Sequence, residues 1–223
     1  VSSTSVMDST DGLLKLTTER HIHNEDIDGR GDAETQEITT YQTDANGQNL
    51  ELLNYQLFTN RRFDARHNVI NQMTITYDEE DGNVLDVQET RSMGYHTSGV
   101  ALNQIVVTYA DIDKTELLEV KMIENENISS SGDVELSTIT RYESLSMPDG
   151  SEGDIICQDP IDIQTITTHS FDIRGNGLTQ TIVEGYYSDD GNFYCSGVQE
   201  IEQQGFDIHN RVSASIIENY SDP

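Results

Sequence analysis

One turn signal returns along this chain and constrains it more than any other feature. It is clearest at Phe171-Asp172-Ile173-Arg174-Gly175-Asn176, followed by Gln180, Tyr186 and Asp190-Gly191-Asn192. The same order stands at Phe63-Asp64-Ala65-Arg66-His67-Asn68, with Gln72, Tyr77 and Asp81-Gly82-Asn83. Ile27-Asp28-Gly29-Arg30-Gly31-Asp32 precedes Gln36, Tyr41 and Asn46-Gly47. Weaker copies begin at Tyr95, with Gly99, Gln104 and Tyr109, and at Ile128, with Gly132 and Tyr142. A last copy, Phe206-Asp207-Ile208-His209-Asn210, reaches Tyr220. The anchors at 27, 63, 95, 128, 171 and 206 are separated by 36, 32, 33, 43 and 35 residues. The longest interval holds an insertion over 148–160 that carries Pro148, Cys157 and Pro160.

Self-similarity at such a period marks a repeat architecture in which each copy is one supersecondary unit. Each unit reads as two strands and two turns. In the second copy Val69, Asn71, Met73, Ile75 and Tyr77 alternate with Ile70, Gln72, Thr74 and Thr76, the period-two pattern of a strand. Leu85, Val87, Glu89, Arg91 and Met93 continue it beyond the Asp-Gly-Asn turn. The run Thr115–Asn125, TELLEVKMIEN, is rich in helix formers, but the repeat register makes it a strand. We therefore expect an all-β chain, an antiparallel meander of about twelve strands from six degenerate repeats. A one-sided meander of that length cannot stay flat in water, so it is expected to curl or close into a barrel-like or two-layer sheet. Residues 1–12 form an N-terminal arm and 13–223 a single repeat-built domain.

Composition narrows the partners. Hydrophobic residues make up only 34% of the 223 residues, a supply that suits a sheet with one wet face. With 12 basic against 41 acidic residues the net charge is −29, which excludes nucleic acid, whose binding depends on Lys and Arg neutralising phosphates. It also opposes docking on anionic lipid. No apolar run approaches the roughly 20 residues that a membrane-spanning helix needs, so no membrane insertion is expected.

The anchor hexapeptides resemble the YD repeat of the RHS family, aromatic-Asp-x-x-Gly-Asn within β-hairpins. Phe171-Asp172 with Gly175-Asn176 carries the resemblance in full; Phe63-Asp64 with Asn68 and Phe206-Asp207 with Asn210 carry it in part. RHS proteins build long β strips and are often exported. The resemblance implies a secreted or cell-surface bacterial repeat protein, while the chain is too short for an enclosing shell.

Candidate sites are few. Asp26, Asp28 and Asp32 cluster around the first turn as possible oxygen ligands for a structural calcium ion, as do Asp78, Glu79, Glu80 and Asp81, and Asp189 with Asp190. None closes an EF-hand loop, and Asp in a turn commonly binds its own backbone. No other cofactor is expected. Cys157 and Cys195 are the only cysteines and are expected to pair as a disulfide in an oxidising compartment. Arg30-Gly31-Asp32 has the form of an integrin-binding tripeptide, yet Arg66-His67-Asn68 and Arg174-Gly175-Asn176 occupy the same positions, so it reads as a turn variant. His21 and His23 share a strand face without further metal ligands. Asn127-Ile128-Ser129 and Asn219-Tyr220-Ser221 are glycosylation sequons of a kind that an Asn- and Ser-rich chain produces by chance. No nucleophile elbow, zinc-protease helix or phosphate loop occurs.

The expected role is therefore structural and non-enzymatic: a secreted or cell-surface subunit that assembles with itself into a fibre or surface layer by β-strand addition. Val1, Ser2, Ser3, Thr4, Ser5 and Val6 supply the small polar arm that would pair with a neighbour. The alternative is an extracellular β-barrel that binds a carbohydrate or small ligand at its mouth.

Overall fold

A computed structural model describes residues 2–7, 14–44, 46–80, 82–150, 152–188 and 191–221. All regular structure among them is β. The strands are β1 (Ser2–Met7), β2 (Leu14–Ile27), β3 (Ala33–Gln42), β4 (Glu51–Phe63), β5 (Val69–Tyr77), β6 (Val84–Tyr95) and β7 (Ala101–Tyr109). They continue with β8 (Leu117–Ile128), β9 (Val134–Ser146), β10 (Ile156–Phe171), β11 (Gly177–Tyr187), β12 (Phe193–Phe206) and β13 (Val212–Tyr220). The TELLEVKMIEN run lies largely in β8, so cross-strand pairing overrides its helix propensity.

The strands form one 13-stranded antiparallel sheet in sequence order, β1 to β13. The meander is as expected; the barrel is not. β1 and β13 each have a single neighbour, so the sheet is open at both margins. A closed barrel requires strand number, tilt and stagger to agree, and this order contains no β1–β13 pair. The expected arm also takes a different form. Ser2–Met7 is a strand already paired with β2, Ser2 opposite Arg20 and Met7 opposite Leu14, with a bulge after Thr4. Val1 and 8–13 lie outside the described residues.

All six anchors, Ile27, Phe63, Tyr95, Ile128, Phe171 and Phe206, are the last residues of β2, β4, β6, β8, β10 and β12. The residue before the anchor has positive φ in four cases: Asp26 (51°), Gly94 (78°), Asn127 (52°) and Gly205 (77°). In β4 and β10 the register shifts at the same place, around Arg62 and Ser170. Each hairpin thus carries a local irregularity just before its turn, where a bulge sharpens strand twist.

Contact density divides the chain into two units. The first comprises Val1–Gln88, Tyr109–Glu116 and Gly205–Ser213. Its buried apolar residues are Ile75, Val87, Tyr109 and Ile208, accompanied by Thr17, Thr40, Thr43, Asn60, Asn71, Thr74 and Thr76. The second comprises Glu89–Thr108, Leu117–Gln204 and Ala214–Pro223. There Ile105, Val106, Val107, Val120 and Ile155 are buried together with Glu89, Arg91, Ser92, Thr140 and Thr168. With so many polar groups inside, both units depend on satisfied hydrogen bonds rather than on apolar area alone.

A cross-strand ladder supplies part of that satisfaction. At five of the six anchors, 27, 63, 95, 128 and 171, the residue three before the anchor pairs with the residue nine after it. Gln36 Nε2 donates to Asn24 Oδ1 (2.7 Å), Gln72 Nε2 to Asn60 Oδ1 (2.6 Å) and Gln104 Nε2 to Ser92 Oγ (3.1 Å). Ser137 Oγ donates to Asn125 Oδ1 (2.9 Å) and Gln180 Nε2 to Thr168 Oγ1 (3.0 Å). Asn60 and Asn125 also reach back to the previous hairpin, donating Nδ2 to the carbonyls of Ala33 (2.9 Å) and Ala101 (3.0 Å). The recurrent glutamine of the sequence is therefore a clasp between strands.

Candidate assembly surface

The margins of the sheet and the turns at its ends are the features from which a function can be built. β13, VSASIIENY, is exposed at all nine positions. Val212, Ile216, Ile217 and Tyr220 are exposed apolar or aromatic residues along it. Glu218 is its one charge, and it contains no Lys, Arg or Pro. Soluble proteins usually protect an edge with such residues, with a bulge or with a cover. Asn219 accepts from Gln199 Nε2 at 2.8 Å, and Tyr220 Oη donates to Glu218 (3.0 Å) and Glu200 (3.4 Å). These contacts hold the side chains of β13 against β12. At the other margin, β1 contains no charged residue.

The turns that follow the anchors share one geometry. They begin at Asp28, Asp64, His96, Ser129, Asp172 and Asp207. In each, the first N–H donates to the fifth carbonyl at 2.8–3.0 Å, and the fourth N–H donates to the first carbonyl at 3.0–3.2 Å. The fourth residue is left-handed throughout: Gly31 (92°), His67 (68°), Gly99 (90°), Gly132 (99°), Gly175 (83°) and Asn210 (60°). This explains the Gly, because a side chain there costs backbone strain.

The leading Asp has an equally local reason. Asp172 Oδ1 accepts from the N–H groups of Arg174 (2.8 Å) and Asn176 (2.9 Å), while Asn176 Nδ2 donates to Oδ2 (2.9 Å). Asp28, Asp64 and Asp207 accept the equivalent backbone pairs. These bonds hold the carboxyls below their ordinary pKa: the Asp32 and Arg30 amides for Asp28, and the Asn68 side chain and amide for Asp64. Partial burial pushes Asp172 and Asp207 up, but the bonds from Asn176 and Arg211 more than offset it.

The same geometry accounts for the candidate site residues. Asp28 is committed to its turn. Asp32 is buried, pairs with Arg30, and meets His67 Nδ1 at 2.7 Å. The Asp of the Arg30-Gly31-Asp32 tripeptide therefore faces its own arginine and the next turn. Asp26 is the left-handed residue before the anchor. His21 and His23 each face a glutamate, Glu19 at 2.7 Å and Glu25 at 3.2 Å. No group of three or more His, Cys, Asp or Glu among the described residues is arranged to hold a metal ion. Asp81, Asp189 and Asp190 lie outside the described residues.

The expected disulfide is corrected. Both cysteines are free. Cys195 on β12 is opposite Gly185 of β11, which is opposite Ile163 of β10. Cys157 is near the start of β10, opposite Leu145 of β9. With β11 between them the two chains run about 9–10 Å apart, and Cys157 is displaced by roughly 20 Å more along the strand. A disulfide needs Cα atoms within about 7 Å. Burial also pushes the Cys157 thiol up, away from the reactive thiolate.

A contact that no sequence pattern indicated lies in the first unit. The turn at 207–211 sits on the loop that follows β3. Ile208 is 6% exposed, and His209 Nε2 donates to the Asp44 carbonyl at 3.3 Å, across 165 residues of sequence. His209 Nδ1 is buried without a hydrogen-bond partner. The only hint in the sequence was an Ile at the second turn position, shared with Ile173.

An open groove of about 480 Å³ crosses β10–β13 in the second unit, lined by His169, Thr181, Glu200, Glu202, Ile216 and Glu218. Its lining has no Tyr, Phe or Trp on which a sugar could stack. Four exposed aromatics sit instead where β11 turns into β12. Tyr186 stacks on Tyr194 (5.7 Å between centroids) and Tyr187 meets Phe193 edge-on (5.8 Å). Compared with known proteins, the chain matches no family model and no curated protein.

Proposed function

We propose that this chain is a non-enzymatic structural protein, secreted or at the cell surface, that assembles with copies of itself by β-strand addition. The observation that carries the reading is the unprotected β13 edge, exposed along its whole length and carrying a single charge in a chain of net charge −29. Charge repels copies everywhere else. Adding a strand at β13 satisfies a row of open backbone groups where that repulsion is least. β1, free of charged residues, is the complementary margin, so addition of β1 of one copy to β13 of the next is heterologous and leaves a free margin at each end for further copies.

Sedimentation velocity across a concentration series tests this. The wild-type chain is expected to grow with concentration, and growth is expected to be greater at 0.5 M salt than at low salt, because screening weakens the repulsion. Ile217→Lys places a charge on the exposed edge and is expected to stop growth while leaving the circular dichroism unchanged. A chain that stays monomeric at every concentration and salt overturns the reading.

A second reading, an extracellular module that binds carbohydrate, draws on the exposed aromatics Tyr186, Tyr187, Phe193 and Tyr194. It requires Tyr194→Ala to abolish a measurable glycan affinity; a wild-type chain with no such affinity rules it out.

A further inference from the structure

The docked turn in the first unit has an undocked twin. Turn 207–211 begins Asp207-Ile208-His209, and turn 172–176 begins Asp172-Ile173-Arg174. Both have the same two backbone bonds and the same Asp receiving the third and fifth amides. Both place Ile second and a basic residue third. Their surroundings are opposite. Ile208 is 6% exposed, whereas Ile173 is 104% exposed, more open than in an extended reference chain. An aliphatic side chain held fully in water at a rigid turn tip gains nothing for the fold; once buried it is worth about 2 kcal/mol.

A second loop also opens on an Asp that gathers its own backbone, one residue longer than the receiving loop: Asp44 N–H donates to the Gln48 carbonyl and Gly47 N–H to the Asp44 carbonyl, whereas Asp78 N–H donates to the Asn83 carbonyl and Gly82 N–H to the Glu79 carbonyl. Asp44 accepts the amides of Asn46 (2.9 Å) and Gln48 (3.0 Å) on Oδ1, and Asn49 Nδ2 on Oδ2 (2.8 Å). Asp78, at the start of the loop after β5, accepts the amides of Glu79 (2.8 Å) and Asn83 (2.7 Å) on Oδ1, and Asn83 Nδ2 on Oδ2 (3.0 Å). Asp44 is half-buried under the docked turn, while Asp78, Glu79 and Glu80 are exposed. Hydrogen bonds hold both carboxyls below their ordinary pKa, from the Gln48 amide and the Asn49 side chain for Asp44, and from the Asn83 side chain and amide for Asp78.

We infer that turn 172–176 of one copy docks on the Asp78–Glu80 loop of a second copy, in the manner of His209 on the Asp44 loop. Ile173 is the apolar anchor, and the loop carbonyls accept from the basic residue that stands where His209 stands. Arg174 lies 3.5 Å from Asp172 within its own turn, and charge complementarity favours this occupant because the guanidinium also meets a loop start carrying Asp78, Glu79 and Glu80. The contact joins two different surfaces, so it repeats from copy to copy. This rests on the self-assembly reading and adds an end-on contact to the edge-on strand pairing.

The test is sedimentation velocity on full-length variants. Ile173→Asp, at a position already in water, is expected to keep the wild-type circular dichroism and to weaken association about thirty-fold, the equivalent of about 2 kcal/mol. Glu79→Lys/Glu80→Lys is expected to weaken it also. Mixing that variant with Arg174→Glu is expected to restore association between the two species, while each alone remains weak. If Ile217→Lys abolishes association and Ile173→Asp leaves it unchanged, strand addition stands and the turn contact is overturned. If the charge-swapped pair fails to associate better than either alone, the assignment of the Asp78 loop is overturned. A wild-type chain that never associates overturns both.

Discussion

The Glu89–Arg91 pair offers a measurable test of how the second unit is held. Glu89 is 0% and Arg91 4% exposed, and Arg91 Nη1 lies 3.0 Å from Glu89 Oε2. The guanidinium also donates from Nη1 to the Thr90 carbonyl (3.0 Å) and from Nε to the Gly153 carbonyl (2.8 Å), tying the insertion loop to β6. At an effective dielectric of about 20, two unit charges about 3 Å apart attract by roughly 5 kcal/mol. Desolvation cancels much of this, so the pair adds little net stability, yet removing one partner leaves a buried charge. Glu89→Gln is expected to cost about 3–5 kcal/mol. Glu89→Leu with Arg91→Met removes both charges and is expected to cost less than either single change, with about 1–2 kcal/mol remaining from the lost bond to the insertion loop. Urea unfolding followed by tyrosine fluorescence measures both, in a chain without tryptophan. A loss below about 1 kcal/mol for Glu89→Gln refutes the reasoning.

The repeated turn makes further predictions. Gly175→Ala forces a side chain into a left-handed position with φ 83° and is expected to destabilise by about 1–2 kcal/mol, whereas Asn210→Gly is expected to be neutral or slightly stabilising; chemical denaturation compares them. Asn60→Ala removes both the clasp to Gln72 and the bond to Ala33 and is expected to cost about 2–3 kcal/mol, against about 1 for Gln72→Ala; equal losses would mean that the bridge to the previous hairpin is idle. The turn carboxyls Asp28, Asp64, Asp172 and Asp207 are held below the ordinary pKa of an aspartate by the bonds they accept. Their contribution is therefore complete above about pH 4 and is lost as pH falls through the folded values. Thermal midpoints should drop below pH 4 and drop less in Asp172→Asn; an unchanged midpoint down to pH 2 contradicts the turn chemistry.

What the sequence made legible was local. The hexapeptide anchors end strands because an Asp that receives two amides and a left-handed fourth residue write themselves into adjacent positions. The strand character of TELLEVKMIEN followed from register, since Leu117–Ile128 occupies the slot that the other copies fill with strands. Closure was not legible, because strand tilt and stagger are properties of the assembled sheet. Pairing of the two cysteines was a count; their separation appears only once β11 is known to run between β10 and β12. The arm at Ser2–Met7 has the composition of a free extension, yet its backbone pairs with β2. The contact of His209 with Asp44 spans 165 residues, beyond any periodicity, although Ile208 and Ile173 stood at matching positions in the repeat.

Hydrogen–deuterium exchange at rising protein concentration tests the assembly claim most directly. Strand addition predicts that peptides covering β1 and β13 become protected as concentration rises, while those from interior strands such as β7 keep their exchange rates. Unchanged exchange at β13 over a concentration range in which the chain associates would show that copies meet elsewhere, and would contradict the account.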